Sequence, residues 1–256
     1  MKFTFPFPFP FPFPFPFPFP FPFIVSLLLG YHAPAQSLTG EELLEKSIAY
    51  HDPNGQWDAF NETFTVIMTR SDSPKRKSQI TINLPQEYFS LKAERDTITT
   101  QYIIDKGGCE MFYQNEPIDA ASSSSVDMSC ERGNMYKNYY TYLYGLPMKL
   151  QDSGTHISPA VEQKTFKGKS YLVLKATYDA EVGSDIWYFY FNPETYAMEV
   201  YQFYKTDDNG QMIPDSGEYI LLSEEAMVGD IKMPKIRAWY YNKDSQYLAT
   251  DALVQE

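Results

Sequence analysis

Side chains suited to acid–base or nucleophilic chemistry are few and scattered in this chain. Beyond residue 35 there are two histidines, His51 and His156, both in turn-like sequence. His51 precedes Asp52, and an imidazole beside a carboxylate has the makings of an acid–base pair. The stretch HDPNG, residues 51–55, reads better as the turn that ends a helix, with His51 near the negative end of the helix dipole. Glu224 and Glu225 are adjacent carboxylates at an expected strand end. Strand neighbours point to opposite faces, so they do not make a glycosidase pair. There is no GxSxG, no HExxH and no glycine-rich phosphate loop. A zinc site needs more nitrogen and sulfur ligands than remain once Cys109 and Cys130 pair. The expectation is a non-enzyme with no metal and no cofactor.

What the chain has in abundance is aromatic side chains, with 21 Tyr, 19 Phe and 3 Trp. In IWYFYF, residues 186–191, Trp187, Phe189 and Phe191 share one strand face, and Tyr188 and Tyr190 share the other. Trp239, Tyr240 and Tyr241 form a second such group. Aromatics favour strands, so ordinary core packing is the plain reading. Two functional readings stand beside it. One face lines an apolar cavity, or exposed Tyr and Trp form a stacking platform for sugars.

These side chains must be positioned by a mostly β chain. A capping box, Thr39 with Glu42, opens a first helix carrying Leu43, Leu44 and Ile48. Alternating strands follow near residues 60–68, 80–84, 89–94, 98–104 and 109–113. A second β run spans residues 161–253. Between the runs, residues 137–150 and those just before them carry the one internal helical period. Met135, Tyr136, Tyr139, Tyr140, Leu143 and Tyr144 fall on one helix face. Asn134 is expected to cap its start, Gly145 to provide a left-handed exit, and Pro147 to block continuation. Five strands before this helix and six after it, with no βαβ alternation, predict one strongly curved antiparallel sheet. The expected form is a mainly β (α+β) incomplete barrel of about eleven strands, with the aromatic helix as lid or plug. A barrel of that size commonly encloses a cavity.

Residues 1–35 stand apart. Nine Phe-Pro pairs precede a short apolar run, and Ala33-Pro34-Ala35 matches a signal-peptidase site. The expectation is a signal peptide cut near Ala35-Gln36, with residues 36–256 as one exported domain. A proline at every second position rules out a membrane helix there. The repeat reads as a slippage product without a role in the mature protein. Removing Lys2 with this segment takes the net charge from −12 to −13. So acidic a protein is a poor partner for nucleic acid, and no other apolar run is long enough to span a membrane. In an oxidising compartment Cys109 and Cys130 are expected to form a disulfide, closing a loop of about 20 residues for roughly 3 kcal/mol.

Several long blocks carry a resemblance. YHDPNGQW (residues 50–57), KNYYTYLYGLPMKL (137–150), WYFYFNPETYAMEVYQFY (187–204), GEYILL (217–222) and IKMPKIRAWYYN (231–242) resemble a domain-of-unknown-function family of bacterial exported proteins. The resemblance covers essentially the whole mature chain. It implies a fold similar to the periplasmic lipoprotein carriers LolA and LolB, a half-open eleven-strand barrel with a helical lid around a lipid-binding cavity. None of the carriers' specific functional residues has a match here, so acyl-chain transfer is implied by fold analogy alone. The resulting expectation is a periplasmic or secreted binding or carrier protein. Its partner is a lipid, acyl chain or other apolar ligand, or another envelope protein. The expected ligand-binding residues are Tyr136, Tyr139, Tyr140, Leu143, Trp187, Phe189, Phe191 and Trp239. The alternative is a carbohydrate- or envelope-binding module using exposed Tyr and Trp.

Overall fold

The computed structural model describes residues 38–254, so the expected signal segment and its cleavage site lie outside the described residues. Helix α1 (Gly40–His51) opens with the expected capping box. Glu42 N donates to Thr39 Oγ1 at 3.2 Å, and Thr39 N donates to Glu42 Oε2 at 2.8 Å. Leu43 and Leu44 are buried against the sheet.

A first antiparallel meander follows: β1 (Asn61–Thr69), β2 (Arg76–Asn83), β3 (Tyr88–Arg95), β4 (Ile98–Asp105), β5 (Gly108–Tyr113) and β6 (Glu116–Pro117). Next come α2 (Ala120–Ser123) and α3 (Cys130–Tyr144). The second run comprises β7 (Thr155–Ile157), β8 (Glu162–Phe166), β9 (Lys169–Tyr178), β10 (Ile186–Phe191), β11 (Met198–Tyr204), β12 (Glu218–Val228), β13 (Ile231–Tyr241) and β14 (Tyr247–Val254). Lys106-Gly107 and Lys167-Gly168 form two-residue turns with positive φ at both positions, the hand that matches strand twist. The two runs merge because β1 pairs with β14, Thr65 opposite Val254 and Thr69 opposite Thr250.

The result is one curved, unclosed antiparallel sheet of 14 strands among the described residues. Its order is β6-β5-β4-β3-β2-β1-β14-β13-β12-β11-β10-β9-β7, with β8 also on β9. Eleven strands was therefore too few. β6 and β7 have only two and three residues, too short to show alternation, and the second run holds one strand more than expected beyond β7. β12 also continues past its expected end at Ser223. Glu224 takes a φ of 55°, and the polar run it sits in hides the strand's period.

The helix that covers the sheet starts earlier than its apolar period suggested. Ser129, not Asn134, is the N-cap, its Oγ accepting from Arg132 N at 3.1 Å. Asn134 lies within the helix and donates to Cys130 O. Gly145 at the exit is not left-handed (φ −91°, ψ −1°). Glycine is needed there for room, since a Cβ would stand 2.2 Å from Trp57 Cζ2 and 2.6 Å from Lys149 Cγ. The Cys109–Cys130 disulfide forms, tying the first residue of α3 to β5.

Alternation sorts the side chains onto two faces. The face bearing α3 holds the main core, including Phe64, Phe89, Leu174, Phe189, Phe191 and Trp239. A smaller cluster on the other face, Tyr171, Val173, Tyr190 and Val200, is packed by Phe166 and Tyr188. The expected division of residues 187–191 between two faces holds.

Candidate functional site

The aromatic face of α3 fills the hollow of the sheet. Tyr140, Leu143 and Tyr144 are buried, each burial contributing roughly 2 kcal/mol. Tyr144 meets Phe64 with ring centres 4.8 Å apart, Tyr140 meets Phe89 at 6.4 Å, and Tyr139 stacks on Trp239 at 6.3 Å. Burial pushes the Tyr139, Tyr140 and Tyr144 hydroxyls above their ordinary pKa. The wide interior expected of an eleven-strand barrel is thus occupied by the helix itself. Of the eight expected ligand-binding residues, Tyr139, Tyr140, Leu143, Phe189, Phe191 and Trp239 are brought together in this packed layer. Tyr136 and Trp187 lie at its edges and reach open grooves.

Trp187 belongs to a cleft of about 790 Å³ between α3 and the β9–β10 connection. Asn138, Thr141 and Tyr142 supply the helix wall, Tyr178 and Trp187 the sheet wall, and Glu181 and Asp185 the loop wall. Tyr142 and Tyr178 are hydrogen-bonded through their hydroxyls. Burial holds Tyr142 well above the usual tyrosine range and pushes Tyr178 up to about 12, so both are neutral hydrogen-bonding groups at physiological pH. Burial also raises Asp185. Trp187 is itself held by aromatic neighbours, stacked on Phe203 at 4.9 Å and on Phe189 at 5.9 Å, with Tyr142 against it edge-on at 5.6 Å. The cleft therefore offers an apolar aromatic wall continuous with the core and a polar rim of mixed charge, Lys137 and Lys149 with Asp152, Glu181 and Asp185.

The sequence candidates for acid–base chemistry are spent on structure. His51 is 3% exposed. Its Nδ1 lies 2.7 Å from Lys232 O, and its Nε2 accepts from Met198 N at 3.0 Å. That arrangement requires a neutral ring, and burial lowers its pKa to about 4. The helix-end position was foreseen, whereas the expected dipole effect is outweighed by desolvation. Asp52 accepts from Gln56 N and Trp57 N, at 2.7 and 2.8 Å, closing the turn. His156 Nε2 lies 2.7 Å from Asp179 Oδ1 at the surface. Glu224 and Glu225 lie inside β12 rather than at its end. Glu224 pairs with Lys235 at 2.7 Å, and Glu225 accepts from Tyr50. Among the described residues no group of three His, Cys, Asp or Glu side chains is placed to hold a metal ion, and no helix is long and apolar enough to cross a membrane.

Two charged residues beneath α3 escaped the sequence reading. Arg237 is 2% exposed, with its guanidinium carbon 3.9 Å from the centre of the Tyr144 ring and Nη1 donating to Pro234 O at 2.9 Å. Asp251 is 5% exposed and accepts from Trp239 Nε1 at 3.1 Å. Burial raises its pKa against the lowering effect of Arg76 and Arg237. The available signal was parity. Arg237 shares a strand face with Trp239, and Asp251 shares one with Ala249 and Leu253.

A half-open antiparallel sheet crossed by a helix is the LolA-like architecture. The chain belongs to DUF6503, a family of unknown function, whose profile matches residues 20–256. Among solved structures it is similar to the LolA superfamily protein NE2245 from Nitrosomonas europaea. That match has 12% identity and a TM-score of 0.51, over 86% of this chain and 93% of that one. A DUF1329 family protein from Desulfovibrio piger matches at 9% identity and a TM-score of 0.46, over 84% of this chain and 91% of that one. At such identities the first likeness establishes the fold alone, and the second adds no argument. No curated protein matches the chain.

Proposed function

We propose that the protein is an exported binding or carrier protein for a lipid, acyl chain or other apolar ligand, without catalytic activity. The observation that carries this reading is the cleft of about 790 Å³ in which Trp187 and Tyr142 continue the aromatic core up to the solvent. A ligand lying there would be held mainly by buried area, about 25 cal/mol per Å² of apolar surface, which needs no sharp polar motif. The LolA-like architecture supports the reading by analogy of fold, and the Cys109–Cys130 bridge suits an oxidising compartment. The sugar-platform alternative is less well supported. Trp187 is half-buried and packed by Phe189, Phe203 and Tyr142, so it does not project as a free-standing stacking platform.

The test is tryptophan fluorescence during titration with 1-decanol. The reading expects a saturable shift that Trp187→Ala weakens by about tenfold, the loss of one buried aromatic contact. A titration with no saturable change would contradict it.

A further inference from the structure

The chain is acidic and has only five arginines, Arg70, Arg76, Arg95, Arg132 and Arg237. The fold brings Arg70, Arg76, Arg95 and Arg132 around the neighbouring ends of β1, β2 and β3, with Arg237 buried farther along the same register row. Arg95, Arg76, Asp251 and Arg237 lie on a single register row. Arg95 is opposite Arg76, Arg76 opposite Met68, Met68 opposite Asp251, and Asp251 opposite Arg237. Directly opposed residues in antiparallel strands project to the same side. The row therefore runs across the face that carries α3, where Arg76 donates to Tyr140 and Arg237 sits under Tyr144.

Arg76 and Arg95 are the informative pair. Like charges directly opposite each other destabilise a sheet. Among the described residues neither has a carboxylate within ion-pair distance, whereas Arg70 has Asp72 at 3.0 Å and Arg132 has Asp127 at 2.6 Å. Arg76 Nε and Arg237 Nε are also buried without a hydrogen-bond partner, a cost that native interiors seldom carry without a reason. Arg76 and Arg95, with Arg132, border a groove of about 300 Å³ along the start of α3, opposite the Trp187 cleft. Its floor is apolar, formed by Leu91, Ala93, Tyr102, Met128 and the expected ligand-binding residue Tyr136. Arg76 and Arg95 also line an adjoining pocket with Arg70.

We infer that this groove binds an amphiphile with an anionic head group, the head held between Arg76 and Arg95 and the apolar body lying on Leu91, Tyr102 and Tyr136. Arginine suits the task because its planar fork pairs two-pronged with carboxylate or phosphate oxygens. The site lies on the other edge of α3 from the Trp187 cleft and stands whether or not that cleft takes a ligand.

Calorimetric titration of the purified protein with decanoate, 1-decanol and decyltrimethylammonium tests the assignment. Decanoate is expected to bind at least about tenfold more tightly than the alcohol, as a charge-assisted hydrogen bond gives, and the cation more weakly still. Arg95→Gln, at an exposed position, should abolish the preference for acid over alcohol, and Arg132→Gln should reduce it. Trp187→Ala should leave the preference intact. Equal binding of acid and alcohol, tighter binding of the cation, or a preference that survives Arg95→Gln would overturn the inference. If decanol still bound in a Trp187-dependent way, the carrier reading would survive that failure. If no probe bound, both would fall.

Discussion

At the scale of single residues, two side chains carry predictions that do not depend on any ligand. His51 is neutral in the fold, with a pKa lowered from 6.5 to about 4 by burial. The unfolded chain therefore takes up a proton between those values that the native state refuses. Stability is fully present above pH 6.5 and falls as pH drops toward 4, by about 3 kcal/mol in all from this group. Denaturant melts from pH 7.5 to 4.5 should show that loss, and His51→Gln should flatten the slope. An equal slope in the variant would contradict the assignment. Gly145 tests packing. Its Ala variant places a methyl 2.2 Å from Trp57 and should cost about 2 kcal/mol through overpacking, read as a lower melting midpoint. At this scale the aromatic alternation of residues 187–191 was legible in the sequence, because period two needs no partner to be seen. The Arg237–Asp251 pairing was not. It depends on β13 and β14 meeting in one register, and neither residue carries a mark of burial in its own neighbourhood.

At the scale of elements, α3 determines what the hollow can hold. Its apolar face was readable from the spacing of Tyr136, Tyr140, Leu143 and Tyr144, but its start was not. Cys130 to Asn134 add no apolar period, and the first turn depends on the Ser129 cap and the disulfide. Replacing Cys109 and Cys130 together by serine should cost about 3 kcal/mol in the loop-entropy account. It should loosen the start of the helix before its end, because Tyr140, Leu143 and Tyr144 hold the far half. Hydrogen exchange along residues 130–144 would show this as faster exchange confined to the first two turns. Uniform loss of protection along the helix would contradict it. The two shortest strands were missed for a physical reason. Two or three residues can join a sheet edge through backbone bonds alone, leaving no side-chain pattern to read.

At the scale of the whole molecule, the sheet is continuous because β1 and β14 pair, a contact between opposite ends of the folded chain that no local pattern announces. Strong curvature and a covering helix were foreseen from strand number and the lone helical segment. Among the described residues the tyrosines of α3 fill the hollow where a wide interior was expected, and a groove runs along each edge of the helix. One groove is aromatic with a rim of mixed charge, and the other is apolar with a rim of Arg76, Arg95 and the Arg132–Asp127 pair. Ligand binding beside α3, rather than in an empty barrel, is directly measurable. Native mass spectrometry of the protein purified without detergent, before and after incubation with decanoate and 1-decanol, counts bound ligands. Saturable one-to-one adducts are expected, weakened in Trp187→Ala for the alcohol and in Arg95→Gln for the acid. A spectrum showing only the bare polypeptide mass, or adducts that neither substitution reduces, would contradict binding beside α3.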